Sequence, residues 1–284
     1  MIIIIRVQNP AILSLFASTD NSTNLERRKR EFSGMEHSTD AGQMIYGIRP
    51  VMEALDAGKE FEKIYIGRTA RGELILELKN ALKEKQIEWQ DVPPEKLDRF
   101  TRKNHQEVVA FISPVSYVDI AQIIPTLFEQ GITPLILVLD RITDVRNFGA
   151  IARTAECAGV QAIVIPSKHA AQVTPDAIRT SAGALTRIPV CRVNQLRDVL
   201  TYLHDSGIRI FAASEKGNAP HYAADFNSPA AIIMGSEEDG ISQALLQMCD
   251  QQLRIPLHGQ ISSLNVSVAC GVLLFEVVRQ RKSN

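Results

Sequence analysis

The sequence predicts an α/β protein in which a mainly parallel sheet, with helices on both faces, follows a smaller α/β domain. Three observations carry this. From residue 135 onward, short apolar runs such as 135–139 and 230–234 lack the polar alternation of a half-exposed strand, so both of their faces must be buried. Between these runs lie longer stretches whose apolar residues recur at helical spacing, the alternation expected of strands joined by crossover helices. The third observation is a change of rhythm: a compact set of strand and helix patterns starts at residue 44 and stops at Pro114 and Ser116, which mark a domain boundary.

In chain order, residues 1–43 stand apart. Four isoleucines at 2–5 precede a Ser/Thr/Asn segment, a charged cluster at 26–31 and polar residues up to Gln43, with no helical or strand period. No basic residue precedes the apolar run and no small-x-small cleavage site follows it, which argues against a signal peptide. A disordered extension is expected, with Met35 or Met44 as alternative starts. The domain at 44–114 reads as a strand at 45–47, a helix carrying Val51, Met52 and Leu55, a strand at 63–66 and a helix at 73–85. It closes with a strand at 88–91, a Pro93-Pro94 break, a helix at 95–100 and a strand at 108–112. The domain at 115–284 opens with a helix at 119–130. Strands follow at 135–139, 162–165, 188–193, 208–213, 230–234 and 252–255, with helices at 147–158, 175–183, 196–206, 242–248 and 263–281.

Composition narrows the function. The 31 basic and 32 acidic residues of the chain cancel, as do the 12 of each sign within 44–113, so any nucleic-acid surface must be a local patch. Arg99, Arg102, Lys103 and Asn104 form one basic edge of that kind. The four cysteines are far apart without a C-x-x-C, which favours a reducing compartment, the cytoplasm, with neither disulfides nor zinc. No apolar run approaches the ~20 residues of a membrane-spanning helix. Dinucleotide, nucleoside triphosphate, serine-hydrolase and zinc-protease motifs are all missing.

A ligand of such a sheet is expected beyond the carboxyl ends of its strands. Three junctions there are rich in polar residues and glycine. In the first, 140–154, Asn147 is a candidate helix cap, with Arg153 near the second turn. Taken singly, these would be an ordinary cap and a solvated charge. In the second, 235–242, Asp239 or Ser242 would cap a short helix and complement its dipole, which leaves Glu237 unexplained directly after a buried strand. In the third, 255–267, Ser262 or Ser263 would cap the last helix, whose first N–H groups favour an electron-rich ligand atom. His258 reads as a loop residue.

Together and in this order, the three junctions resemble the SpoU (TrmH) family of RNA ribose 2′-O-methyltransferases, within the SPOUT class. The matching residues are Asn147-Phe148-Gly149-Ala150-Ile151 with Arg153-Thr154-Ala155, Gly235-Ser236-Glu237 with Gly240-Ile241, and Ile255-Pro256 with Ser263-Leu264-Asn265-Val266-Ser267. Ser181-Ala182-Gly183-Ala184 also looks like a family segment. Ahead of them, Ile45-Tyr46-Gly47, Pro50-Val51, Glu53-Ala54-Leu55 and His105-Gln106 resemble the L30e-like substrate-binding domain of the 23S rRNA guanosine-2′-O-methyltransferase subgroup. Val145 stands where the family commonly has proline, and Glu107 where it has glycine.

The resemblance implies a deep trefoil knot over about 230–278 and a homodimer built through knot helices. It also implies S-adenosylmethionine as cofactor, held largely by backbone groups at Gly235, Ile255 and Leu264 with Ala213 and Met234 nearby, and RNA, most closely 23S rRNA, as partner, without metal or membrane. Arg153, Asn147, Glu237, Ser263 and Asn265 become the catalytic set. Because a guanidinium donates but does not accept hydrogen bonds, Arg153 is expected to orient a phosphate or steady developing alkoxide charge rather than act as a base. Asn147 would position the ribose, Glu237 would fix Arg153 or the substrate, and Ser263 and Asn265 would shape the floor. The competing readings are a tRNA 2′-O-methyltransferase and an inactive RNA-binding or ribosome-assembly protein.

Overall fold

The computed structural model describes residues 44–282; the expectations for 1–43 lie outside the described residues. A first sheet has four strands, β1 (Met44–Tyr46), β2 (Phe61–Gly67), β3 (Gln90–Val92) and β4 (Val108–Ile112), in the order β1-β4-β2-β3. Helices α1 (Ile48–Asp56), α2 (Glu73–Glu84) and α3 (Pro94–Phe100) accompany it. Strand periodicity sorts its side chains: Ile64, Ile66, Val108 and Ala110 pack with Val51, Leu55, Leu78 and Leu82 of α1 and α2. The intervening Tyr65, Val109 and Phe111 pack with Leu97 and Phe100 of α3.

The second sheet contains β5 (Leu135–Asp140), β6 (Ala162–Pro166), β7 (Val190–Val193), β8 (Arg209–Ala213), β9 (Ala219–Pro220), β10 (Ala230–Gly235) and β11 (Gln251–Arg254). Its order is β7-β6-β5-β10-β8-β11-β9 and every pairing is parallel. Helices α4 (Ile120–Glu129), α5 (Val145–Cys157), α6 (Pro175–Thr180), α7 (Leu196–Asp205), α8 (Gln243–Leu246) and α9 (Val266–Lys282) complete the layers. Leu137, Leu139, Ile163 and Ile232 face α5 and α9 through Phe148, Ile151, Leu273, Leu274 and Val277. Ile136, Val138, Val164 and Ile233 face α4 and α7 through Ile124, Leu200 and Leu203. Both faces are thus covered, which is why these strands read as unbroken apolar runs.

The chain runs outward from β5 through β6 to β7, then crosses to β8 on the other side, and β10 inserts between β5 and β8. The carboxyl ends of β5, β10, β8 and β11 therefore stand in one row beside this reversal, where a ligand crevice forms in open parallel sheets. The far end of α9 is fastened to the opposite end of the sheet, where β5 and β10 begin. Arg281 donates to the backbone carbonyls of Thr133, Pro134 and Phe226, each at 2.9 Å, and of Ser228 at 3.0 Å. Burial lowers the pKa of this guanidinium from its ordinary value.

Several polar contacts join the two sheets' domains. The half-buried Tyr117 hydroxyl donates to Glu62 Oε1, and Arg192 lies 4.0 Å from the Tyr117 ring centroid while donating to the Phe61 carbonyl at 2.9 Å. Gln172 Nε2 donates to the Glu62 carbonyl at 3.0 Å, and Lys168 pairs with Glu88 at 2.8 Å.

Candidate functional site

Helix α5 is entered through Asp144, whose carboxylate accepts from the Asn147 backbone N–H at 2.8 Å. Asp144, and not Asn147, is therefore the cap, and the helix starts at Val145 instead of 147. The consequence is chemical, because the Asn147 side chain is released for other work. Val145 occupies the first helical position, where an N–H has no intrahelical partner and proline is favoured. Asp144 already has the extended backbone, φ −75 and ψ 122, that a following proline demands. We expect Val145→Pro to raise stability by about 0.4–1 kcal/mol; a fall in the calorimetric melting temperature would refute this account of the helix entry.

After β10 the chain makes a tight turn, with Ser236 and Gly240 bridged through mutual backbone hydrogen bonds at 3.2 and 3.0 Å. A Cβ on Gly235 would collide with the backbone of Gly240 and Ile241, so glycine is required for the turn to close over the strand end. Arg141, directly after β5, holds the turn from the side. Its guanidinium meets Asp239 at 3.1 Å, the Gly240 carbonyl at 3.0 Å and Asp140 at 3.3 Å. The buried Asp140 also accepts from the Ser242 N–H at 2.7 Å. Asp239 thus serves as an ion-pair partner rather than a helix cap. The sequence pointed to neither Arg141 nor Asp140, since an Asp-Arg pair after a strand has no motif of its own.

Helix α9 starts at Val266, later than expected, so neither Ser262 nor Ser263 caps it. Asn265 does, with Oδ1 accepting from the Ser267 N–H at 3.0 Å. Its amide nitrogen faces outward and donates to Glu237 Oε1 at 2.7 Å and to Asn147 Oδ1 at 3.0 Å. Asn147 Nδ2 donates to the same Glu237 oxygen at 3.1 Å, and the Val266 N–H approaches it at 3.4 Å. Three residues from three junctions, spread over 118 positions of sequence, thereby form one closed polar cluster. The geometry explains Glu237: one carboxylate oxygen gathers donors from two helix entries.

Two members of the expected set stand outside this cluster. Ser263 is exposed and forms no hydrogen bond among the described residues. Arg153, six residues beyond Asn147, lies about 9 Å further along α5. It is exposed and makes neither a hydrogen bond nor an ion pair among the described residues, so Glu237 does not hold it. The remaining expected positions fall on the row of strand ends. Ala213 ends β8, Met234 and Gly235 end β10, and Ile255 follows β11. Met234 points into the core at 2% exposure, which leaves only its backbone for a ligand, whereas Leu264 is 40% exposed. Residues 257–264 are exposed, and their backbone N–H and C=O groups have no hydrogen-bond partner among the described residues. Such a loop beside strand ends suits a polar ligand held through backbone groups.

Burial pushes the thiols of Cys191, Cys249 and Cys270 up to about 12, so they are thiols and not thiolates at neutral pH. Among the described residues, no three His, Cys, Asp or Glu side chains are placed to hold a metal ion, and no helix is long and apolar enough to cross a membrane. Glu107, the departure from glycine, adopts the left-handed conformation with φ 60, as does Gln106 with φ 48. The Glu107 carboxylate accepts from the Thr69 hydroxyl at the surface of its own domain.

Comparison with known proteins gives matches over both domains. The SpoU rRNA Methylase family model matches residues 134–275, and a model for RNA 2′-O ribose methyltransferase substrate binding matches 44–118. A Staphylococcus haemolyticus protein named as a TrmH family tRNA/rRNA methyltransferase is 35% identical over 84% of this chain and 96% of its own. Among solved structures, the SpoU methyltransferase AviRb of Streptomyces viridochromogenes, in complex with AdoMet, aligns with TM-score 0.55 and 26% identity over 92% of this chain and 96% of that one. An AdoMet-bound rRNA methyltransferase from Sinorhizobium meliloti aligns with TM-score 0.53 and 25% identity over 83% and 86% of the two chains.

Proposed function

Since this chain belongs to the SpoU/TrmH family of S-adenosylmethionine-dependent RNA methyltransferases, we propose that it methylates a ribose 2′-hydroxyl, with a guanosine of 23S rRNA as the target. The observation that carries the chemistry is the closed cluster of Asn147, Glu237 and Asn265 at the row of strand ends. The likeness to the Sinorhizobium rRNA enzyme supports ribosomal RNA over tRNA, and the substrate-binding match at 44–118 supports an RNA substrate.

When bound, S-adenosylmethionine supplies a methyl group on a sulfonium, a good electrophile for an aligned hydroxyl oxygen. The residues present fit it: the 257–264 loop offers free backbone donors and acceptors, and Gly235 keeps the β10 end narrow. The protein's task is then alignment, which in a well-oriented site removes several kcal/mol of the barrier. Glu237 fixes the two asparagines so that Asn147 can present its amide to the ribose. Arg153, with its donors uncommitted, orients a phosphate or stabilises the oxygen as it loses its proton to water or a phosphate oxygen. Mapping ribose methylation on ribosomal RNA from cells with and without the gene tests the proposal. A mark that vanishes from 23S rRNA supports it, whereas a mark lost from tRNA, or no mark lost, overturns the assignment.

The same reading includes a trefoil knot over about 230–278 and a homodimer through α9. Val268 and Phe275, seven residues apart on one face of α9, are 53% and 51% exposed. An apolar stripe left uncovered on an otherwise packed helix suits a second copy. Phe275→Asp is expected to convert the dimer to monomer in sedimentation and to lower methyl transfer with it; a variant that sediments as wild type removes α9 from the interface.

A further inference from the structure

The junction of the two domains holds a cavity of about 270 Å³ that the methyl-transfer cluster does not use. One wall is aromatic. Tyr65 stacks on Phe100 with centroids 5.2 Å apart, and the Phe111 ring meets Phe100 edge-on at 5.3 Å. Phe100 and Phe111 remain half-buried, so part of each ring is not consumed by the domain's own core. The opposite wall includes Thr143 and Val145, on the segment that enters α5 just before Asn147, with Gln172 beside them. The cavity and the polar cluster are therefore two ends of one short segment. Cations border the aromatic wall: Lys96 Nζ lies 4.8 Å from the Tyr65 ring centroid, and Lys103 Nζ lies 6.0 Å from that of Tyr46.

We propose that this cleft receives one unstacked nucleobase of the RNA, packed against the Phe100 and Phe111 rings, next to the nucleotide whose ribose lies at Asn147. The inference rests on the methyltransferase reading and adds a second anchor to it. Aromatic faces bind any base, while neighbouring lysines engage the backbone, the combination that holds single strands. A domain whose charges cancel overall has little long-range attraction for RNA, so a base clamp of this kind supplies grip that phosphate contacts do not. It also holds the strand unstacked at the point where a ribose must be presented for in-line attack.

The test is fluorescence anisotropy of the full chain with 5′-labelled hexaribonucleotides of A, G, C or U and with an abasic hexamer. Phe111→Ala is expected to weaken binding of the base-bearing hexamers by about 5- to 100-fold and to leave the abasic hexamer unaffected. Thr143→Phe, which places a ring in the cavity from the opposite wall, is expected to reproduce the loss without touching the aromatic core. Unchanged affinity in Thr143→Phe, or an equal loss for abasic and base-bearing hexamers in a variant that melts as wild type does, overturns the cleft. Failure of the methyltransferase reading is seen separately, as absence of S-adenosylmethionine binding by the wild-type chain in calorimetry.

Discussion

Arg153→Ala is expected to lower methyl transfer by about 10²- to 10³-fold, the usual effect of removing a donor aimed at developing charge, while S-adenosylmethionine binding and melting temperature stay nearly unchanged. The structure makes this separation sharp. Arg153 is exposed on α5 and holds nothing else in place among the described residues, so truncating it breaks no ion pair, hydrogen bond or core contact. Any loss of rate must then arise with substrate bound. Arg153→Lys keeps the charge but not the planar fork, and is expected to recover only part of the activity. Calorimetry with the cofactor beside a methyl-incorporation assay decides. Parallel loss of binding and rate would place Arg153 in the cofactor site instead.

Glu237→Ala is expected to cost a comparable factor in rate, about 10²-fold, for a different reason. The carboxylate touches Asn147, Asn265 and the first turn of α9, and removing it leaves the Asn147 amide held only by Asn265, which keeps its own cap bond from Ser267. In the proposed mechanism Glu237 is thus a positioning residue. Its loss should appear mainly in kcat, because the misaligned amides still bind substrate. Glu237→Gln retains one carbonyl acceptor for the same donors and should restore part of kcat; a purely structural role would instead leave kcat intact in the folded fraction. Because these hydrogen bonds lie at the surface, stability should change by only about 0.5–1.5 kcal/mol.

What the sequence showed and what it hid follow from the range of the interactions. The strands at 135–139 and 230–234 are legible because burial on both faces writes itself directly into composition. Helix starts are harder, since Asp144 and Asn147 are both good caps and only the backbone decides between them; the choice fell on Asp144, which turned Asn147 from a local device into a long-range one. The start of α9 moved from Ser263 to Val266 for the same reason, because Asn265 captures the Ser267 N–H. β9 is two residues long and includes Pro220, so it has no period to read. Arg141 and the Tyr117–Glu62–Arg192 contact join residues tens of positions apart, and no local pattern announces them. The three site junctions were legible as polar, glycine-rich segments after apolar strands and the resemblance gave them their chemistry, whereas the partner each side chain selects emerged only with the fold.

The guanidinium of Arg281 sets an order of assembly. It gathers carbonyls from the lead-in to β5 and from the segment before β10, strands made well before α9 during vectorial synthesis. Until that last helix emerges, those carbonyls have only water, and α5 lacks the helix it packs against, so the earlier strands wait on the ribosome for their fastener. Asn147 and Asn265, which bond across 118 positions of sequence, cannot meet before the entry to α9 has been made, so the polar cluster closes only with that helix.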